Sequence, residues 1–272
     1  MITFPNCKIN LGLNVVRKRE DGFHDIETAF LPLPFYDVLE IVSSSEETTK
    51  LITTGLTISA GDENICLKAF RLLKNDFPSL PKIKIHLHKI IPIGAGLGGG
   101  SSDAASMLLL LNKKFNLKIE RDKLLSYSLQ LGSDCPFFII NKSCYAMGRG
   151  EILQPINLPL SGYKMVLINP GIHVDTREIF QYIKTNTPVK AINEIIQQPV
   201  STWKEELFND FEKIVFQLAP VIKNIKEILY KHKALYASMS GTGSTVFGIF
   251  NKTDEINLSL EEKYFHRWFD LS

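Results

Sequence analysis

Strand-like and helix-like segments alternate through both halves of this chain, which predicts a mixed α+β or α/β fold built as two packed domains. Three observations carry that expectation. The segment KIKIHLHKIIPI (82–93) alternates and is rich in β-branched residues, as a strand is, and a glycine-rich loop and a helix follow it directly. The stretch QPINLPLSG (154–162) interrupts the pattern with two prolines and a glycine, and KMVLINP after it reads as a new strand, so the domains are expected to divide into 1–155 and 156–272. At 272 residues, 44% hydrophobic and 22% charged, the chain is large enough to bury one or two cores.

Each element has its own local reason. DENICLKAFRLLKNDF (62–77) places Ile65, Ala69, Leu72 and Leu73 on one helical face, with Asp62 or Asn64 available as cap. GAGLGGGSS reads as a loop after the strand 82–93. In the helix that follows, Ala104, Leu108 and Leu111 recur at helical spacing and Ser101, Ser102 or Asp103 is expected to cap it. A third helix is expected from about Arg121 to Leu131, ending at Gly132. Downstream, TREIFQYIK and the long WKEELFNDFEKIVFQLAPVIKNIKEILYKHK read as helices, the second interrupted near Pro220. ALYASMSG and STVFGIF read as two strands joined by a glycine turn.

Composition excludes several classes of function. The formal net charge is +2, from 31 basic and 29 acidic residues, too small a field to hold a phosphate polymer or an anionic membrane, so no nucleic-acid or membrane partner is expected. Cys7, Cys66, Cys135 and Cys144 form no C-x-x-C pair, and no histidine stands at zinc-ligand spacing from them. His86 and His88 share one strand face, but with no third ligand nearby they are read as ordinary half-exposed strand residues. The start MITFPNCKIN lacks the pattern of a secretory leader, and the purely apolar runs are too short to span a bilayer, so a cytoplasmic location is expected.

The strongest local signal is IPIGAGLGGGSSDAA (91–105), with five glycines within seven positions, two serines and a helix start. Glycines let backbone N–H groups converge on an anion, and the helix adds its N-terminal donors and dipole, so a phosphate fits. Gly94, Gly96 and Gly99 also satisfy G-x-G-x-x-G, and Glu120 lies at the distance of the acidic residue in a dinucleotide-binding fold, which keeps a nicotinamide-dependent oxidoreductase as a rival. The P-loop pattern is absent because Gly100 follows Gly99 where it needs a lysine, and the protein-kinase motifs are absent too.

The same segment resembles the second signature of the GHMP kinases, and its GLGGGSS form (Gly96–Ser102) is similar to the diphosphocytidyl methylerythritol kinases in particular. PNCKINLGLNVVRKREDGFHDIET (5–28) resembles that family's amino-terminal segment, LGSDCPFF (131–138) its G-A-D-V-P-F-F element and SMSGTGSTVF (238–247) the third GHMP signature; NDFE (Asn209–Glu212) also matches. The resemblance implies an α+β two-domain fold, with an amino-terminal domain like domain 2 of ribosomal protein S5 and a ferredoxin-like carboxy-terminal domain. It also implies ATP-dependent phosphorylation of a hydroxyl on a cytidine-diphosphate-linked sugar alcohol in the non-mevalonate route to isoprenoid precursors, by a monomer or homodimer. Its rivals within the superfamily are homoserine and mevalonate kinases, and DGFH and GLGGGSSDAA argue against them.

The family's catalytic pair falls here on Lys8 and Asp134. Phosphoryl transfer depends on positioning and electrostatics, plus a carboxylate to take the hydroxyl proton, and Asp134 would be that base with Lys8 holding it ionised. The ATP segment falls on Pro92, Ile93, Gly94, Ala95, Gly96, Leu97, Gly98, Gly99, Gly100, Ser101 and Ser102, with Asn64 and Lys89 matching positions near the adenine. Ser101 and Ser102 would cap the helix, touch phosphate or meet the magnesium carried with ATP. For the acceptor, Phe23, His24 and Phe180 match the residues that sandwich and read the cytosine ring, with Thr176 and Asn10 nearby. Phe23 stands where the family has tyrosine, so the ring is kept and its hydroxyl is lost. The turn SGTG (240–243) is expected to line the acceptor or phosphate region.

Overall fold

The computed structural model describes residues 1–58, 64–186 and 188–271. Its elements run β1 (Ile2–Thr3), β2 (Asn6–Lys18), β3 (His24–Tyr36), β4 (Val38–Ser43), β5 (Lys50–Gly55), α1 (Ile65–Asp76), β6 (Ile83–Lys89), α2 (Gly99–Lys114), α3 (Arg121–Leu131), α4 (Cys135–Ile140), β7 (Cys144–Met147) and β8 (Ile152–Pro155). They continue with β9 (Tyr163–Asn169), α5 (Thr176–Tyr182), α6 (Ile192–Ile195), α7 (Trp203–Glu206), α8 (Glu212–Leu218), α9 (Pro220–Lys231), β10 (Tyr236–Met239), β11 (Val246–Asn251) and β12 (Phe265–Asp270).

The chain forms two compact units and passes between them several times. The first comprises Met1–Lys8, Pro32–Ile93 and Gly98–Lys142. Its sheet has the order β1-β4-β6-β5, antiparallel except for the parallel pair of β5 and β6. In β6 the period-2 pattern buries Ile83, Ile85, Leu87 and Lys89 and turns Lys84, His86 and His88 outward. The buried face packs with Cys66, Ala69, Phe70 and Leu73 of α1, Met107, Leu108 and Leu111 of α2, and Leu124 of α3. Each such aliphatic side chain contributes about 1.5–3 kcal/mol by leaving water. Asn64 caps α1, its Oδ1 accepting the Cys66 N–H at 2.9 Å; Asp62, the other expected cap, lies outside the described residues.

The second unit comprises Ile9–Leu31, Gly94–Leu97 and Ser143–Ser272. It contains the sheet β10-β11-β9-β12, antiparallel throughout, and most of the sheet β2-β3-β7-β8. Val166 and Ile168 of β9, Val246 and Phe250 of β11, Phe211, Val215 of α8, and Ile222, Ile225 and Leu229 of α9 share its core with Leu13 and Val15.

Three local expectations are corrected. The glycine segment is not a loop throughout: α2 begins at Gly99, its N-cap is Gly98 in the left-handed region (φ 67°), and no side chain caps it. Ser101, Ser102 and Asp103 therefore lie inside the helix, with the Ser102 N–H already bonded to Gly98 O at 2.9 Å. The strand predicted over 82–93 stops at Lys89, because the next two N–H groups, of Ile90 and Ile91, turn to Asp37 Oδ1 at 2.6 and 2.9 Å. The long helix from Trp203 breaks well before Pro220. Leu13 exchanges bonds with Phe208 O and the Asp210 N–H, at 2.8 and 2.9 Å, so residues 207–211 pair with β2 instead of continuing α7 into α8.

Candidate active site

In the first unit β2 carries Lys8, 4% exposed, and the turn before α4 carries Asp134. Asp134 is the N-cap residue of α4, yet its side chain makes no capping bond; it meets Lys8 Nζ at 3.2 Å. The lysine side chain is 5% exposed and the aspartate 33%, so a buried ammonium holds a carboxylate that solvent or a substrate hydroxyl can reach. Gly98 stands against the same lysine, where an added Cβ would lie 3.1 Å from Lys8 Cε and 3.0 Å from the Phe138 ring.

The glycines of the loop have different physical reasons. Gly96 has φ 75°, and a Cβ there would overlap the Ser240 carbonyl oxygen. Gly99 packs against Ile91, at 3.0 Å from a Cβ. Gly100 is exposed, has no positive φ, and nothing lies within 4 Å of where its Cβ would be. Glycine costs about 1 kcal/mol against alanine inside a helix, so no demand of the protein's own packing accounts for Gly100. Open space over a first helical turn, whose N–H groups have no intrahelical acceptor, suits an anion. Nearby, Pro92 is half-buried, Ile93 exposed, Leu97 buried, and the Ala95 carbonyl accepts the Thr245 N–H at 3.2 Å.

Beneath that turn lies a buried charge cluster. Lys89 Nζ donates to Asp37 Oδ2 and, at 2.8 Å, to Asp103 Oδ2, with the three residues 4%, 0% and 2% exposed. Burial pushes the Asp103 carboxyl up to about 7 against the pull of Lys89. Burial works to lower the Lys89 ammonium, but Asp103 and Asp37 together raise it above its ordinary value. Asp103 Oδ1 and Ser102 Oγ are buried without a hydrogen-bond partner among the described residues.

In the second unit Asn10 is buried and donates from Nδ2 to Thr28 Oγ1 at 3.1 Å, while its backbone N–H reaches Ser240 Oγ at 3.2 Å. Thr176 Oγ1 and Thr242 Oγ1 share a bond of 2.8 Å, which ties the start of α5 to the glycine turn. His24 and Phe180 meet with ring centroids 5.2 Å apart and planes tilted 33°, and Phe180 also packs edge-on against Phe211 at 4.8 Å. Burial, then the nearby Lys18, holds the His24 imidazole below its ordinary pKa, which keeps the ring neutral near pH 7. Phe23 is 52% exposed and stacks under the Arg149 guanidinium, 4.7 Å from its centroid.

The structure thus pairs Lys8 with Asp134 and His24 with Phe180. His86 and His88 both bond Thr54 Oγ1, at 2.9 and 2.8 Å, on the outer sheet face. Asp37 and the ion-paired role of Asp103 emerge only with the fold, and Asn209 and Ser240, which lie within the NDFE and SGTG motifs, gain their partners there. Asp103 sits inside the quoted SSDAA and was visible only as a cap, whereas Asp37 stands alone between two strands and carries no local signal.

Comparison with known proteins settles the class. The GHMP kinases N terminal domain matches residues 64–142 and the GHMP kinases C terminal domain matches residues 191–261. The chain belongs to the GHMP kinases, ATP-dependent enzymes acting on small molecules, and has their α+β two-domain fold. Within them it falls in the family of 4-diphosphocytidyl-2-C-methyl-D-erythritol kinases. It is 51% identical to the kinase of that name from Bacteroides fragilis over 259 residues, 94% of each chain, and 42% identical to that of Porphyromonas gingivalis over 260 residues, again 94% of each. A crystal structure of 4-(cytidine 5'-diphospho)-2C-methyl-D-erythritol kinase superposes with a TM-score of 0.74 at 32% identity, covering 91% of this chain and 89% of that one. The homoserine kinase of Cytophaga hutchinsonii, TM-score 0.60 at 15% identity over 92% of this chain and 86% of that one, shares the fold alone. No helix among the described residues is long and apolar enough to cross a membrane.

Proposed function

We propose that this kinase transfers the terminal phosphoryl group of ATP to a hydroxyl of 4-diphosphocytidyl-2-C-methyl-D-erythritol, giving the 2-phosphate and ADP. The step belongs to the non-mevalonate route to isoprenoid precursors. The observation that carries the chemistry is the Lys8–Asp134 pair at 3.2 Å, with Gly98 at the head of α2 against the same lysine. Asp134 accepts the proton of the acceptor hydroxyl as its oxygen bonds to the γ-phosphorus and the bond to ADP breaks. Lys8 holds that carboxylate in place at 3.2 Å and stabilises the negative charge that develops on the hydroxyl oxygen during transfer.

The segment from Pro92 to Ser102 holds the phosphates through backbone N–H groups, over the space that Gly100 leaves open, with Asn64 and Lys89 near the adenosine, where the Lys89 ammonium, already held by Asp37 and Asp103, serves the framework and not a direct contact. Magnesium arrives with ATP and, when bound, neutralises charge on the phosphate oxygens. Hard oxygen donors suit it, and Ser101 and Ser102 at the first turn are the hydroxyls that would hold it; the Ser102 oxygen has no partner among the described residues. His24 reads the cytosine edge as a neutral ring beside the faces of Phe23 and Phe180, and Thr176 and Asn10 complete the acceptor's contacts. In this reading the domains divide between residues 155 and 156, and the enzyme works in the cytoplasm as a monomer or homodimer without a nucleic-acid partner.

The test is ADP release with Mg-ATP, comparing the cytidine compound with homoserine and mevalonate. Turnover is expected with the cytidine compound alone. Turnover only with one of the others would discard the cytosine site and keep the kinase.

A further inference from the structure

The motif NDFE (Asn209–Glu212) takes no part in the chemistry above, yet both of its ends grip one residue of β10. Asn209, 3% exposed, donates from Nδ2 to Met239 O and Gly241 O, both at 2.8 Å, and its Oδ1 accepts the Phe211 N–H at 3.0 Å. Glu212 Oε1 accepts the Met239 N–H at 2.9 Å and the Ser238 hydroxyl at 3.1 Å, while Lys226 balances its other oxygen at 2.6 Å. The N–H and the C=O of Met239 are therefore both held by this one short segment.

The two carbonyls that Asn209 holds flank Ser240. Pinning both from one side sends the Ser240 side chain to the other, where its hydroxyl donates to Gly96 O at 2.8 Å and accepts the Asn10 N–H at 3.2 Å. The contact has no slack, because a Cβ on Gly96 would overlap Ser240 O. Ser240 is fully buried, and its backbone is fixed by bonds with Thr245 O and the Gly243 N–H, each 2.9 Å. Asn209 thus reaches the glycine loop in two steps, first through the backbone carbonyls on either side of Ser240 and then through the Ser240–Gly96 hydrogen bond, with no charged group between.

We propose that Asn209 is a positioning residue for the phosphate loop and acts through Ser240, which fixes the carbonyl of Gly96; the proposal rests on the assignment of that loop to ATP. A purely structural asparagine would lower thermal stability and leave the nucleotide affinity of the folded protein unchanged. A positioning residue moves both.

The experiment measures ADP affinity by titration on the full-length wild type and on Asn209→Ala, Ser240→Ala and the double variant, below the melting temperature of each. Each single change is expected to weaken ADP about tenfold, the worth of one or two buried hydrogen bonds. The double variant is expected to be no weaker than the worse single, since both remove the same link. Affinity unchanged in a folded Asn209→Ala protein, or losses that simply add, overturns the proposal. If Asn209→Ala does not fold, Ser240→Ala decides alone, and wild-type affinity in that variant overturns it equally. A wild type that binds no ADP removes the nucleotide assignment of the loop, and with it the role given to Asn209.

Discussion

The pair and triad of ions in the first unit and the aromatic cluster of the second are built by opposite means. Lys8, Asp37, Lys89 and Asp103 are all under 5% exposed and hold one another or Asp134 through charge. His24 and Phe180 are only half-buried and are fixed by ring packing and by neutral hydrogen bonds such as that between Thr176 and Thr242, while the exposed Phe23 is held under the Arg149 guanidinium. Charge buried in the protein cannot be broken cheaply, so the phosphate-side framework is set before any ligand arrives. An exposed aromatic ring keeps apolar area in reserve, to be covered when a flat base binds. The difference predicts that damage to the first region appears in stability and turnover, and damage to the second in acceptor binding.

The largest effect is expected at Lys89. Lys89→Met leaves two buried carboxylates facing each other and should cost about 3–5 kcal/mol in stability, read from the urea midpoint at unchanged slope. A loss under about 1 kcal/mol would mean that the triad does not frame this unit. Next comes Asp134→Asn, which should cut kcat by roughly 10² or more, about 2.7 kcal/mol, while ADP affinity stays as it was. Near-wild-type turnover would take Asp134 out of the mechanism.

On the acceptor side Phe180→Ala should raise the KM of the cytidine compound about 5- to 150-fold, the worth of one stacked ring at about 1–3 kcal/mol, and leave the KM for ATP near its starting value. A selective change in ATP would move Phe180 out of the base site. The neighbouring histidine adds a pH signature. Its pKa is depressed by burial, so the folded enzyme keeps it neutral to lower pH than an unfolded histidine, whose ordinary value is 6.5. The sign follows: acceptor KM should be flat from about pH 8 down past 6.5 and rise only below, and His24 should cost the fold stability as pH falls through that range. A KM that climbs already above 6.5 would mean that the ring takes up its proton at a higher pH than its burial allows.

How much of this was legible in the sequence depended on whether the signal was local. The strand before the glycines, the third helix and its stop at Gly132, and the glycine turn between β10 and β11 all follow from periodicity and turn chemistry, which act over a few residues. The misplaced start of α2 shows the limit. Gly-Gly disfavours a helix and Ser-Ser favours a cap, but Gly99 fits against Ile91 and Gly98 adopts a left-handed φ, so packing extends the helix by two residues that propensity would exclude. The break at 207–211 has the same origin, since the segment is amphipathic and only its pairing with Leu13, far away in sequence, turns it from helix to bridge. Lys8 and Asp134 were legible only through their motifs, and Asp37 had none; three charges scattered over the chain become a triad once the fold places them.

Gly100 offers the smallest effect and the sharpest separation of fold from function. Its surroundings are open and its backbone is ordinary helix, so Gly100→Ala should stabilise the protein, by up to about 1 kcal/mol, because alanine loses less backbone freedom on folding. The added methyl would stand in the space assigned to the phosphates, so the KM for ATP should rise several-fold while the melting temperature goes up. Thermal unfolding and steady-state kinetics on the same preparation measure both. A variant that is more stable and binds ATP as before would place the phosphates elsewhere along the loop; one that is less stable would show that Gly100 serves the helix itself. Opposite signs in the two measurements are expected only where a glycine is kept for the ligand at the expense of the fold.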